Sequence, residues 1–194
     1  MTRPIPHSFV PDPQNGRLLR DAFGRFATGV TVVTAATEGG CAAMTANSFS
    51  SISMDPPLVM WSPALASSRF PVFAQARHFA IHVLAADQAD LAWTVARNRN
   101  ALDHAGLSAN AHGVPVLDRC LARFDCDLFA MHEAGDHMII VGRVLHAQIT
   151  EGDPLAFFGG QIAGIARGWP TAAPGRRRPG TVTIRGRRHP RCAC

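Results

Sequence analysis

Short strand-like apolar runs separated by turn residues make up most of this chain, with two or three short helical stretches among them. Leu18, Leu19, Ala22, Phe23 and Phe26 recur at helical spacing after the turn signal Asn15-Gly16, which predicts a first helix ending near Thr28-Gly29. Val30–Ala36 is β-branched and apolar, and Glu38-Gly39-Gly40 turns it into a second strand, Cys41–Ala46. Phe49–Ser53 alternates apolar residues with Ser as a half-buried strand does, and Asp55-Pro56-Pro57 separates it from a buried strand, Leu58–Ser62.

Ser67-Ser68-Arg69-Phe70-Pro71 reads as a short helix start, with Ser as N-cap and Pro in the first turn. His78–Leu84 is a strand, and Asp87 is placed to cap a helix running to about Ala96, with Leu91 and Val95 on one face. Residues 97–118 read as a long polar loop. Cys120–Met131 and His137–Ile149 are long strands joined by Glu133-Ala134-Gly135-Asp136, and Leu155–Phe158 is a last short one. Seven or eight strands, mostly in hairpins, with two or three small helices predict a mainly β chain forming an antiparallel barrel. There is no βαβ alternation and no GxGxxG, so a Rossmann domain is not expected.

The organisation expected is an extended arm at 1–15, one domain at 16–169 and an Arg/Pro/Gly-rich, disordered tail at 170–194. The chain has 194 residues, 47% of them hydrophobic, enough for one substantial core. Its net charge of +5 is misleading, because the tail holds seven Arg and no acid. That leaves 12 Arg against 14 Asp and Glu, a balance of −2, so the folded part presents no basic face for nucleic acid. With no Tyr and 7% aromatic residues, stacking platforms for bases are also scarce. Residues 1–16 are polar and carry four Pro, unlike a signal peptide, and no apolar run approaches a membrane span. Five Cys without framework spacing fit a cytoplasmic protein. Cys120 and Cys126, and His132 and His137, lack the paired spacing of a zinc site, and no metal is expected.

The row Met44-Thr45-Ala46-Asn47-Ser48-Phe49-Ser50-Ser51 places small hydroxyl and amide groups among strand residues, more than a hydrophobic core requires. A flat heterocycle with carbonyls and an N–H at one edge needs such groups, and Asn47 offers donor and acceptor together. With Phe26–Thr34, Met44–Met60, Ser67–Pro71, Phe79–Leu84, Gly135–Val144 and Pro154–Gly160 in this order, the chain from Leu18 to Gly160 resembles the flavin reductase-like family.

The resemblance implies the fold of that family, an FMN-binding split barrel, as a homodimer. It implies an enzyme that passes hydride from NADH or NADPH to FMN or FAD and supplies reduced flavin to a separate monooxygenase component. It implies flavin contacts at Thr45, Ala46, Asn47, Ser48 and Ser62, and a phosphate site at Ser67, Ser68 and Arg69, where a helix start also favours an anion. His137, in Gly135-Asp136-His137, falls at the nicotinamide end, in a positioning or electrostatic role. The sequence departs from the family at Arg69, where a hydroxyl residue is usual, and at His82, where Asn is usual. The aromatic residue usual at the end of the Phe157–Ile162 block is also missing. Two alternatives stay open on the same fold: a flavin-binding electron-transfer protein, and a flavin oxidase of the pyridoxamine-phosphate-oxidase kind.

Overall fold

The structure is a computed structural model that describes residues 8–102 and 107–165. The tail at 170–194, with Cys192 and Cys194, lies outside the described residues. Among the described residues, twelve strands and three α-helices follow in the order α1 (Gly16–Phe23), β1 (Thr28–Gly29), β2 (Thr31–Thr37), β3 (Gly40–Ala46), β4 (Ser50–Met54), β5 (Pro57–Trp61), α2 (Phe70–Gln75), β6 (His78–Val83), α3 (Ala89–Arg97), β7 (Ser108–Ala109), β8 (Pro115–Val116), β9 (Ala122–Ala134), β10 (His137–Ile149), β11 (Leu155–Phe158) and β12 (Gln161–Gly164). Among the described residues no helix is long and apolar enough to cross a membrane.

Seven strands form one antiparallel sheet in the order β3-β2-β6-β9-β10-β5-β4, with β3 and β4 at its two edges. Only Asn47, Ser48 and Phe49 connect those edges. Laid flat, seven strands would hold their outer members about 29 Å apart, whereas the connection spans at most about 15 Å. The sheet therefore curls until its edges approach. Among the described residues no ladder joins β3 to β4, so hydrogen bonds do not close it.

The inside of the curl is filled by Val33, Ala35, Ala42, Met44, Val59, Trp61, Phe79, Ile81, Cys126 and Ile140, with Phe73 of α2 as a plug. Trp61 meets the Phe73 ring edge-on, with centroids 5.0 Å apart. Outside it, α3 lays Ala92 and Val95 over Val30, Val32, Cys41, Ala43 and Leu84. Strand alternation explains the division, since Val33 pairs with Met44 on one face and Val32 with Thr45 on the other.

Four sequence expectations change. The first helix stops at Phe23, where Gly24 N–H bonds to the Arg20 carbonyl, and Thr28-Gly29 is a strand paired with Ala156 and Phe157. Phe23 and Phe26 are 69% and 76% exposed, so their helical spacing did not report burial. The 97–118 segment holds a small hairpin, β7–β8. Asp87 sits in a short 3-10 turn, and α3 begins two residues later, after Gln88. An additional strand, β12, pairs with β11 through the turn Phe158-Gly159-Gly160-Gln161. Both glycines there have positive φ, 57° and 81°, the demand of a two-residue turn of this hand.

Candidate functional site

Thr45 and Ala46 end β3, an edge strand whose one ladder among the described residues is with β2. The Thr45 hydroxyl donates to the Ala92 carbonyl at 2.8 Å, tying the strand end to α3. Ser48 is tied in the same way to the end of β5: Ser62 N–H donates to Ser48 Oγ at 2.9 Å, and the Ser48 hydroxyl faces the Ser62 carbonyl at 3.4 Å. With both hydroxyls committed to backbone, Thr45 and Ser48 offer a ligand mainly their main chain. Asn47, between them, is exposed. The structure thus brings Thr45, Ala46, Asn47, Ser48 and Ser62 together where the two sheet edges meet.

Asn47 lines two adjoining clefts. One, of about 130 Å³, is an apolar slot between the end of β3, α3 and the β11–β12 hairpin, bounded by Val30, Thr45, Ala46, Trp93, Phe157 and Ile162 among others. The other, of about 450 Å³, is lined by Arg20, Asp21, Phe23, Gly24, Arg25, Phe157, Gly159 and Gly160. Gly159 N–H donates to the Gly24 carbonyl at 2.8 Å, which joins the end of α1 to the hairpin and forms the back of this cleft.

Ser68 and Arg69 lie at the opposite end of β3. They line a third cleft of about 210 Å³ with Thr37, Cys41, Ala42, Val72, Arg99 and Asn100. Ser67 does not line it, and its Oγ accepts the Arg69 N–H at 3.3 Å. The residue preceding the first turn of α2 is Arg69 itself, and the helix has only six residues, so charge and not a helix dipole makes this an anion site. Burial, then the nearby Arg99 charge, lowers the Arg69 pKa from its ordinary value. Two guanidiniums facing one cleft with a hydroxyl and an amide suit a phosphate. No local sequence signal marks Arg99, because it follows α3 and reaches Arg69 only through the fold.

Ala42 borders the cationic cleft and Thr45 the apolar slot. They are three residues apart on one strand, about 10 Å by strand rise. A ligand with an anion at one end, a flat ring at the other and a short flexible chain between them matches that layout.

His137 opens β10 after a tight turn in which Gly135 has φ 67°. Its Nδ1–H donates to Asp136 Oδ1 at 2.7 Å, and this bond holds the Asp136 carboxyl below its usual pKa. His137 bridges Ala64, two residues beyond Ser62. It therefore shares a rim with Ser48 and Ser62, yet it lines none of the three clefts.

His82 is fully buried and belongs to the scaffold. Its Nε2 accepts the Leu117 N–H at 3.2 Å, so Nδ1 carries the proton and donates to the Val32 carbonyl at 3.0 Å. Burial pushes its pKa down to about 4, with smaller and opposing effects from Val32, Arg123 and Asp125. The departure from Asn at this position is thus a core substitution. Among the described residues no group of His, Cys, Asp and Glu could hold a metal ion.

Residues 23–166 match the family model described as "Flavin reductase like domain", and the chain belongs to that family. It is 54% identical over 164 residues to the FMN reductase (NADH) SmoA of Agrobacterium fabrum, covering 84% of this chain and 94% of that protein. It is 34% identical over 165 residues to the flavin-dependent monooxygenase reductase subunit HsaB of Rhodococcus jostii, covering 82% and 83%. Among solved structures, the NADH:FAD oxidoreductase SgcE6 of Streptomyces globisporus, in complex with NAD and FAD fragments, superposes with a TM-score of 0.76 at 31% identity. That match covers 83% of this chain and 99% of that one.

Proposed function

We propose that this protein is an NADH-dependent flavin reductase that binds flavin along the outer edge of β3 and releases it reduced to a separate monooxygenase component. The observation that carries this reading is the layout along that strand, with a two-arginine cleft at Ala42 and an apolar slot at Thr45–Asn47. Membership of the family and the activities named for its relatives support it. FMN fits best, because its terminal phosphate is a dianion that two guanidiniums neutralise. The residues proposed to hold it are Thr45, Ala46, Asn47, Ser48 and Ser62 at the ring end and Ser68, Arg69 and Arg99 at the phosphate end, with Ser67 shaping the turn.

The bound flavin supplies the acceptor for a two-electron hydride transfer from the nicotinamide. The chain's own part is placement. The main chain at Thr45 and Ala46 and the Asn47 amide orient the pyrimidine edge, and α3 with the β11–β12 hairpin excludes water from the slot. His137, fixed by Asp136, is proposed to act on the donor side of the ring as a positioning group and not as a proton donor in the transfer.

The curled, unclosed sheet supports a split barrel. Exposed apolar residues on β4, β9 and β10, with Ile52, Met54, Phe129, Met131, Leu145 and Ile149 prominent, support a homodimer. A cytoplasmic location and a single domain at 16–169 complete the proposal. Steady-state NADH oxidation with and without added FMN, FAD or riboflavin tests the activity. Turnover that depends on added flavin is the expected result, and bound flavin without turnover would move the assignment to a carrier.

A further inference from the structure

We propose that the β7–β8 hairpin is an acid-released cover: protonation of the imidazoles beneath it frees the hairpin while the curled sheet itself stays folded. The hairpin's own ladder is two residue pairs, Ser108 with Val116 and Ala109 with Pro115, too short to hold it in place. Docking on the outer face of β2 and β6 does so instead.

Apolar and polar contacts share that docking. Val114 and Val116 pack on Ala80 as a small buried cluster. The Thr34 hydroxyl donates to the Pro115 carbonyl at 2.6 Å. Leu117 N–H donates to His82 Nε2 at 3.2 Å, and the His112 ring lies 4.5 Å from that of His78, nearly parallel at 13°. His78, Ala80 and His82 alternate along β6 and so present one face to the hairpin. On β2, Thr34 is the neighbour of Ala80 and Val32 that of His82.

Two of these contacts depend on neutral imidazole. A proton on His82 Nε2 turns the acceptor into a donor and sets two N–H groups against each other. Nδ1 offers no alternative, because it already donates to the Val32 carbonyl. Protonation of both His78 and His112 puts like charges ring on ring.

The surrounding charges do not reverse this. Across from His82 on β9 stands Arg123, and Asp125 is shared between Arg123 at 3.1 Å and His146 at 3.3 Å. Beside His78 stand Arg77 and, on β9, Asp127, whose β10 neighbour is Arg143. Burial first, then His112 and Arg77, lower the His78 pKa, with Asp127 opposing. The hairpin's acid, Asp118, accepts from the Ser108 hydroxyl at 3.2 Å. Under the cover His82 titrates at about 4, against an ordinary 6.5, so opening takes up a proton. The cover is held fully above about pH 6.5 and loosens progressively down to about pH 4.

Amide hydrogen exchange of the full chain, resolved by NMR and corrected for intrinsic rates, tests this between about pH 7.5 and about pH 4.5. Protection of the Leu117 amide should fall about 50- to 100-fold over that range, the factor that the His82 titration alone supplies. Amides of β6 and β9 should stay at least about tenfold better protected than Leu117 at every pH. His82→Asn keeps a donor and an acceptor without titrating, and should cut the fall to below about fivefold. Adding His112→Phe, which keeps a ring for stacking, should remove most of the remainder. Leu117 protection that does not change with pH overturns the proposal. So does protection lost in step with β6 and β9 at one rate, which is global unfolding, or an Asn variant as pH-sensitive as wild type. If a variant proves unfolded at neutral pH by denaturant titration, the wild-type contrast between Leu117 and the central strands still decides.

Discussion

Ser48 and Ser62 clasp the two edges of the curled sheet, with Ser62 N–H donating to Ser48 Oγ at 2.9 Å. Ser48 follows one edge strand and Ser62 follows the strand beside the other, so one small side chain helps set the seam against which the flavin is proposed to lie. Ser48→Ala leaves the Ser62 amide without this partner and should cost about 1–2 kcal/mol of stability. Urea unfolding should show an earlier midpoint with an unchanged slope. KM for FMN should rise several-fold, because Asn47 is the adjacent residue. An unchanged midpoint would mean that the clasp contributes nothing.

Arg69 and Arg99 share a cleft with Ser68. If they hold the flavin phosphate, Arg69→Gln or Arg99→Gln removes a charge-assisted contact worth about 1.5–3 kcal/mol, or roughly 10- to 100-fold in affinity. FMN should lose that much and riboflavin, which has no phosphate, almost none. Equal losses for the two flavins would place the phosphate elsewhere.

His82 makes stability depend on pH. Buried and neutral in the folded chain, it has a pKa of about 4, against an ordinary value of 6.5. The unfolded chain therefore takes up a proton first as pH falls. The contribution is complete above pH 6.5 and is lost progressively down to about pH 4, amounting to about 3 kcal/mol. Asn at this position can donate to the Val32 carbonyl and accept from Leu117 N–H without titrating. His82→Asn should therefore flatten the stability profile between pH 6.5 and 4, measured by denaturant midpoints across that range. A variant profile parallel to that of the wild type would show that other groups set the dependence.

Gly142 lies in β10 against the core. A Cβ there would stand 2.5 Å from Phe79 Cζ and 3.0 Å from Cys126 Cβ, and Phe79 is itself fully buried. Gly142→Ala should destabilise the protein by about 1–3 kcal/mol through overpacking. Additional substitution of Phe79 by Leu should recover part of that loss, whereas two independent penalties would argue against the clash.

The fold was legible where local chemistry decided it. Glu38-Gly39-Gly40 and Gly135 announce their hairpins, and the apolar, strand-like runs of β2, β3, β6, β9 and β10 place those strands within a few residues. The sequence pattern overextends the first helix because Phe23 and Phe26 keep its spacing while facing solvent, and it does not mark β12 because Gln161–Gly164 is short and weakly apolar. In the site, Asn47, Ser68 and Arg69 stood out as residue types. That Asn47 and Arg69 serve opposite ends of one edge strand depends on sheet order, which no local window contains. Arg99 carries no local signal for the same reason, since a surface arginine acquires meaning only from what the fold places beside it.

The most direct measurement is an anaerobic single-turnover reaction of the purified protein with one equivalent of FMN and one of NADH. It follows loss of the oxidised-flavin absorbance together with loss of NADH. The account predicts that both disappear with one rate constant and equal stoichiometry, many times faster than FMN and NADH alone. It also predicts that the reaction slows when Asn47 is replaced by Ala at sub-saturating flavin. NADH and oxidised FMN persisting at the protein-free rate would contradict the account.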